Sequence, residues 1–306
     1  MLRNALLWAS TNPFLAERLP RARFVQRATR RFIPGERVED ALAEARSLQA
    51  GGAATTVTRL GEHVTTPADA DEVVEHYQGV LRTIVAEGLN TEIAVKLSQL
   101  GIDQDVDGAR QRLEHLVRSC DPESLVWVDM ESSEYVDRTL DVFRAVREDH
   151  QNVGLCLQSY LQRTKADLEK LLPLHPAIRL VKGAYKEPPD VAFARKADVD
   201  QNFIRLTSQL LRARKEGRAG RPVVATHDPR MVGEANRLAH ELGLGKDAYE
   251  IAMLYGIQTE EQDRLVRSGY TLRILVSYGT HWFPWYMRRL AERPANVWFV
   301  VRQLVR

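Results

Sequence analysis

Two adjacent arginines near the end of the chain, Arg288 and Arg289, are suited to binding an anion. A guanidinium group is always charged and binds a carboxylate or a phosphate through two parallel hydrogen bonds. On a helix that begins near Pro284, one face carries positions i, i+3, i+4 and i+7, which are Trp285, Arg288, Arg289 and Glu292. Glu292 could then orient one of the guanidinium groups. The alternative is an exposed helix whose arginines form only surface ion pairs.

Other charged and polar residues come directly after short apolar runs. Eight successive runs end at or near Glu62, Lys96, Asp129 with Glu131, Gln158, Arg179 with Lys182, Thr226 with His227, Tyr255, and Tyr278. Each has a simpler explanation when taken alone: Lys96 could point outwards, Asp129 could cap the next helix, and His227 could be a satisfied buried histidine. Lys182 could be a cation with no part in a reaction. Together they indicate a site, because so many polar groups beside apolar runs are costly if nothing binds them.

The residue types restrict the chemistry of this site. Cations dominate it, which favours an anionic substrate together with an anionic or electron-rich cofactor. The chain has no H-E-x-x-H motif and no His, Asp or Glu set at metal-ligand spacing, so no metal is expected. It also lacks the G-x-S-x-G turn of serine hydrolases. A lysine that ends a strand, Lys96 or Lys182, would also suit a Schiff-base lyase or aldolase.

The elements that must position these residues alternate between strand and helix. Eight strands are predicted, at residues 54–60, 92–97, 124–130, 153–158, 178–182, 222–226, 249–254 and 271–277. Eight strands that each precede a helix are typical of an α/β fold of the (β/α)8 barrel type, whose active site lies at the C-terminal ends of the strands. A doubly wound open sheet is the second choice, although no glycine-rich dinucleotide-binding turn follows a strand.

Length and composition agree with one such barrel. We expect a single domain of 306 residues, with an N-terminal helical segment at 1–53 and the barrel at 54–306, its last helix over the open end. The net charge of +2 does not indicate a nucleic-acid partner, and no apolar run approaches the ~18 residues of a membrane helix. Two cysteines without metal-ligand spacing fit a reducing, cytoplasmic setting.

The motifs at the strand ends resemble those of the proline dehydrogenase family, flavin-dependent barrel enzymes that oxidise proline. The resemblance covers nearly the whole chain from about residue 30 and rests on segments 60–62, 95–101, 128–131, 157–161, 179–187, 225–228, 253–256 and 288–293. It implies that FAD lies across the open end of the barrel and accepts a hydride from the ring carbon beside the substrate nitrogen. The product is then a cyclic imine of the 1-pyrroline-5-carboxylate type.

The resemblance also implies roles for individual residues. Asp129 and Arg179 would be catalytic, with Arg179 near the reactive flavin nitrogen and Asp129 positioning Arg179 and Lys96. FAD would be held by Met130, Gln158, Arg179, Val181, Lys182, Gly183, Ala184, Thr226 and His227. The substrate would be bound by Lys96, Tyr185, Leu254, Leu275, Trp285, Arg288 and Arg289, while Glu62 would close the site by pairing with an arginine of the last helix and Glu292 would orient Arg289. The family passes its electrons to a membrane quinone, which implies peripheral contact with the inner membrane.

The sequence departs from the family pattern around the substrate ring. Leu275 stands where the family has a tyrosine, Ala252 where it has a glutamine, and Trp285 where the last helix has a tyrosine. These exchanges remove hydrogen-bonding groups and change the shape of the pocket. We therefore expect a relative of proline, such as 4-hydroxyproline or another cyclic amino acid, to be accepted as well as or better than proline. The same exchanges leave open a flavin-binding homologue whose catalysis is altered.

Overall fold

Eight parallel strands close into a barrel in the computed structural model, which describes Thr29, residues 31–283 and residues 286–287. The strands are β1 Ala54–Arg59, β2 Thr91–Lys96, β3 Val126–Asp129, β4 Val153–Gln158, β5 Ala177–Val181, β6 Pro222–Ala225, β7 Glu250–Leu254 and β8 Leu272–Tyr278. Each strand pairs with its sequence neighbours, and β1 pairs with β8 to close the ring. The predicted (β/α)8 barrel is confirmed, and each strand begins and ends within two residues of its prediction.

Helices connect the strands and cover the outside of the barrel. Helix α1 (Val38–Ala50) precedes β1 and packs against β1 and β8. The connecting helices are α2 Pro67–Ala86, α3 Val106–Ser119, α4 Val136–Asp149, α5 Thr164–Leu171, α6 Lys196–Lys215, α7 Pro229–Glu241 and α8 Thr259–Arg267. Local sequence explains where they begin. Helix α2, for example, has Pro67 in its first turn, and its cap Thr66 accepts the Asp69 amide while Asp69 accepts the Thr66 amide.

Alternation along the strands sorts the apolar residues into two layers. Large aliphatic side chains such as Ile93, Leu155 and Ile251 point outwards and pack under the helices. The layer inside the barrel contains smaller residues around one large ring, Trp127. Gly154 leaves room for that ring, because a Cβ atom at this position would lie 2.6 Å from the indole. The barrel interior is therefore a packed core and not a channel.

A network of four charged side chains, three buried and one half-buried, fills the barrel at the N-terminal ends of the strands. Glu92 pairs with Arg221 at 2.5 Å and with Arg273 at 3.4 Å, and Glu250 pairs with Arg273 at 2.8 Å. Glu92 also accepts a hydrogen bond of 2.7 Å from the Trp127 indole N–H. Burial opposes the charge on Glu250, but the neighbouring Arg273 outweighs it and lowers the pKa of that carboxyl. Sequence analysis did not predict this network, because its members come from four different strands or strand entrances.

The two ends of the described chain meet at the opposite end of the barrel, which we call the mouth. Phe32 and Ile33 pack with Leu60 and with a segment of the last helix, whose described residues there are Trp282, Phe283, Tyr286 and Met287. This close approach requires a glycine in the loop after β7. Gly256 has a φ of 71°, and a Cβ atom there would lie only 1.7 Å from the Arg31 carbonyl oxygen.

The proposed division into residues 1–53 and 54–306 stays a prediction, because much of the first segment lies outside the described residues. Within the described part of the chain, no helix combines the length and apolarity that crossing a membrane requires.

Candidate active site

The charged strand-end residues Lys96, Asp129 and Arg179 come together inside the barrel mouth. Lys96 and Asp129 are partners in the register of β2 and β3, and Arg179 lies two residues before the end of β5. Lys96 is 8% exposed and Arg179 is 6% exposed. Lys96 therefore does not point into solvent, and the surface alternative for this residue is wrong.

Asp129 forms an ion pair with Arg179 across the barrel. The Asp129 side chain is thus directed at a guanidinium group, and the alternative that it only caps the following helix is wrong. Burial opposes the charge on Arg179, but the Asp129 carboxylate outweighs this and raises the pKa of the guanidinium. The guanidinium carbon also lies 5.0 Å from the centre of the Trp127 ring, within cation–π range. Arg179 is consequently a fixed, charged group at the mouth.

A second buried carboxyl, Glu131, lies beside Lys96. It accepts hydrogen bonds from the Ser98 hydroxyl at 2.6 Å and from the Ser98 amide at 3.1 Å. Burial raises the pKa of Glu131, although the Ser98 hydrogen bonds and the charge of Lys96 act in the opposite direction. Glu131 comes two residues after Asp129, so the sequence indicated that it lies near the end of β3. Its position beside Lys96 was not predicted.

The ends of β4 and β5 present backbone and amide groups at the mouth. The Gln158 side chain donates to the Met130 carbonyl at 3.2 Å, and among the described residues its buried Oε1 has no hydrogen-bond partner. From Val181, the last residue of β5, the chain continues through the half-buried residues Lys182, Gly183 and Ala184. Gly183 has a φ of 111°, and a Cβ atom there would lie 2.3 Å from the Tyr160 ring. This turn therefore requires glycine.

Lys182 belongs to an ion network formed by the loops after β5 and β6. Its ammonium group lies 2.5 Å from Asp200 and 3.6 Å from Asp228. Hydrogen bonds from Arg230, together with the charge of Lys182, lower the pKa of Asp228 to about 2. Asp200 was not predicted, because it lies within α6, 18 residues after Lys182 in the sequence.

Thr226 and His227, which follow β6, connect this region to β7. The Thr226 hydroxyl accepts the Asp228 amide at 3.1 Å, and His227 Nε2 accepts the Leu254 amide at 3.3 Å. Leu254 in turn packs on the cluster that contains Phe32 and Trp282. His227, a predicted cofactor residue, is thus in direct contact with Leu254, a predicted substrate-binding residue on β7.

On the opposite side of the mouth, the Tyr185 hydroxyl donates to Glu62 at 3.3 Å. The sequence predicted Tyr185 only as a substrate-binding residue, and the structure adds a contact in which its phenol holds the Glu62 side chain. Leu275 is half-buried and packs with the interior cluster around Trp127 and Ala252. Leu275 and Ala252, two of the three positions where the sequence departs from the family pattern, therefore belong to one cluster.

Four predicted site residues lie outside the described residues. These are Trp285, Arg288, Arg289 and Glu292. Their roles, and the pairing of Glu62 with an arginine of the last helix, stay predictions.

Comparison with known proteins identifies the family to which this site belongs. Residues 41–302 match the family described as proline dehydrogenase. The chain belongs to the proline dehydrogenase family. Proline dehydrogenase 1 of Bacillus subtilis strain 168 is 34% identical over 308 residues, covering 100% of both chains. The proline dehydrogenase of Deinococcus radiodurans is 36% identical over 312 residues, covering 100% of this chain and 98% of the relative.

Solved structures agree on the fold. Proline utilization A from Bdellovibrio bacteriovorus, inactivated by N-propargylglycine, aligns with a TM-score of 0.82 at 22% identity. The alignment covers 95% of this chain but only 36% of that longer one. The predicted family is confirmed, and with it the predicted enzyme class of a proline-oxidising oxidoreductase.

Proposed function

We propose that this protein oxidises L-proline or a closely related cyclic amino acid to the cyclic imine, with bound FAD as the hydride acceptor. The observation that carries the proposal is the group formed by Lys96, Asp129 and Arg179. Two buried cations lie at the mouth, where Asp129 pairs with Arg179 and burial of Glu131 beside Lys96 opposes the negative charge of that carboxyl. Such a site suits a carboxylate substrate and a cofactor that becomes more negative on reduction.

The residues of β4 and β5 fit a flavin at the mouth. Gln158 Oε1 needs a donor and is buried without one in the described part of the chain. The turn at Gly183 keeps the backbone free of a side chain that would meet Tyr160. We infer that Met130, Gln158, the segment 181–184, Thr226 and His227 hold the cofactor, and that Lys182 offers a cation to its phosphates. A bound flavin supplies the two-electron acceptor that the side chains themselves lack.

The side chains around the flavin position then bind and orient. Lys96 binds the substrate carboxylate, together with Arg288 and Arg289 if the last helix completes the site as the family resemblance implies. Arg179 stabilises negative charge that builds up during hydride transfer, and Asp129 keeps Arg179 in place. Tyr185 and Leu254 exclude water from one side. Fixed geometry and fixed charge are the contribution of the chain to catalysis.

We further propose that the site accepts a relative of proline, such as 4-hydroxyproline or another cyclic amino acid, as well as or better than L-proline. Leu275 and Ala252 belong to one apolar cluster in the barrel interior, so the wall that they contribute near the ring is apolar. Discrimination between ring analogues rests on about 1–3 kcal/mol per methylene-sized change. Steady-state kinetics with L-proline, 4-hydroxyproline and piperidine-2-carboxylate test the proposal, and a clear preference for L-proline would contradict it.

The flavin itself is tested first on purified protein. We expect a yellow protein whose absorbance near 450 nm is bleached by substrate in the absence of oxygen, as flavins generally are on reduction. Borohydride trapping of a carbonyl substrate on Lys96 or Lys182 would favour the lyase alternative. A yellow protein that none of the cyclic amino acids bleaches would favour the altered homologue.

The proposed electron acceptor is a membrane quinone, and the proposed location is cytoplasmic with peripheral contact at the inner membrane. The family membership supports this acceptor. Turnover with a soluble short-chain quinone, compared with turnover with a quinone in anionic lipid vesicles, tests both parts. If vesicles neither bind the protein nor raise the rate, the membrane contact is wrong.

A further inference from the structure

We propose that Trp127 is a positioning residue that holds the Arg179 guanidinium at the barrel mouth. The proposal rests on the proposed function in one respect only, the nearness of Arg179 to the flavin. Trp127 belongs to β3 and Arg179 to β5, so two strands that are not adjacent in the barrel supply the pair.

The indole ring and the guanidinium are in direct electrostatic contact. The guanidinium carbon of Arg179 lies 5.0 Å from the ring centre, and neither residue is open to solvent, with Trp127 at 0% and Arg179 at 6% exposure. A cation over an aromatic face is attracted most strongly when both are desolvated. The Nη2 atom of Arg179 pairs with the Asp129 carboxylate, and the Trp127 indole restrains the guanidinium from a second side. One contact alone would leave the plane of the guanidinium free to turn.

The indole is itself fixed by the network at the far end of the barrel. Its N–H donates to Glu92 at 2.7 Å, and the same carboxylate accepts the Leu125 amide at 3.1 Å and pairs with Arg221 at 2.5 Å. The Arg221 guanidinium carbon lies 5.5 Å from the centre of the indole ring. Glu92 and Arg221 thus fix the indole from the N-terminal ends of the strands. The fixed indole in turn restrains the Arg179 guanidinium.

The indole ring fills the space that small residues on the two neighbouring strands leave open. In the sheet register Trp127 lies between Ala94 of β2 and Gly154 of β4, the smallest residue types available. A Cβ atom on Gly154 would lie 2.6 Å from the ring, closer than atoms approach without displacement. Gly154→Ala should therefore displace the indole without removing it, which gives a variant independent of the tryptophan itself.

The experiment compares Trp127→Leu, Trp127→Phe and Gly154→Ala in the flavin-loaded enzyme, with Phe143→Leu as the matched control. Phe143 is a fully buried ring on α4 that packs outside the barrel. We expect Trp127→Leu and Gly154→Ala to lower kcat for L-proline about tenfold or more with a much smaller change in KM, because Arg179 acts on the transition state. Trp127→Phe keeps an aromatic face and should retain most of kcat while losing thermal stability, since Glu92 loses its indole donor.

The midpoint potential of the flavin, measured without substrate, gives a readout that does not depend on turnover. A guanidinium displaced from the flavin stabilises the reduced form less, so Trp127→Leu should shift the potential to more negative values and Trp127→Phe should shift it less. Equal losses of kcat in the Phe and Leu variants would overturn the proposal. So would an unchanged potential, or a loss of kcat no larger than that of Phe143→Leu.

A double-mutant cycle separates this proposal from the proposed function. If the purified protein is not yellow or proline does not bleach it, the proposed function fails, but the contact can still be measured by unfolding. Trp127→Leu, Arg179→Met and the double variant should give non-additive losses of stability, because the two side chains interact directly. Additive losses would show that Trp127 does not hold Arg179.

Discussion

Removal of the Asp129 carboxylate is the perturbation whose consequences the structure specifies most fully. Within the described part of the chain, Asp129 forms its ion pair with Arg179, whose side chain is 7% exposed, while the Asp129 side chain is 20% exposed. Asp129→Ala leaves the buried guanidinium without a carboxylate and with Lys96 as a register neighbour of the vacated position. The variant therefore places two cations beside each other at the mouth with no carboxylate directed at Arg179.

The expected loss of stability follows from burial. Removing one partner of a buried ion pair costs about 3–5 kcal/mol, and the partial exposure of Asp129 places it near the lower end, about 3 kcal/mol. At roughly 2 °C per kcal/mol for a chain of this size, the melting temperature should fall by about 6 °C. Asp129→Asn keeps a hydrogen-bond acceptor for Arg179, so it should lose about half as much, roughly 1.5 kcal/mol.

The assay is thermal unfolding of both variants beside a matched control. Asp137 pairs with Arg163 at 2.5 Å, but its side chain is 76% exposed. Asp137→Ala removes a carboxylate from an exposed pair and should cost less than about 1 kcal/mol. Turnover of L-proline should fall in the Asp129 variants and not in the control. If Asp129→Ala is no less stable than Asp137→Ala, the Asp129 carboxylate does not stabilise the buried Arg179 guanidinium, and the reasoning about this pair is refuted.

Two further predictions test the mouth and its buried acid. Gly256→Ala should be clearly less stable than Gly217→Ala in thermal unfolding. Both glycines have φ near 70°, but a Cβ atom on Gly256 would meet the Arg31 carbonyl, whereas a Cβ atom on Gly217 meets nothing within 4 Å. Equal losses of stability would contradict the close approach of Gly256 to Arg31. Because folding raises the pKa of Glu131, its contribution to stability is present below the unfolded pKa and is lost as pH rises through the folded pKa. Wild-type protein should therefore lose stability relative to Glu131→Gln as pH rises above about 4.5, measured as the difference in melting temperature, and a difference independent of pH would refute this.

The strand order and the strand-end residues could be predicted because they depend on local patterns. Short apolar runs such as Ile93–Val95 and Val223–Val224 alternate with amphipathic helices; that alternation is typical of a parallel α/β fold, and eight repeats favour a barrel. Once the fold is a barrel, the rule that polar residues at strand ends meet at one face places Lys96, Asp129 and Arg179 together. Family motifs at the same positions reinforced the prediction.

The partners of those residues could not be predicted in the same way. Asp200 holds Lys182 from inside a helix, and nothing in the sequence shows that Glu131, at the same strand end as Asp129, lies beside Lys96. Trp127 reads in the sequence as one apolar residue in a strand. Its contacts with Glu92 and Arg179 depend on side-chain direction across two and three strands, and local periodicity carries no information about that.

By itself, the sequence determined which elements form, their order, and which residue types stand at the ends of the strands. Those properties depend on hydrophobic periodicity, helix caps and turn glycines, all of which act over a few residues. Tertiary structure alone decided that Asp129 meets Arg179, that Trp127 lies beneath Arg179, and that Glu92 and Arg221 hold the indole. Closure of the barrel and the stagger of its strands bring together residues 35 to 50 positions apart, as in the Trp127–Glu92 and Arg179–Asp129 contacts.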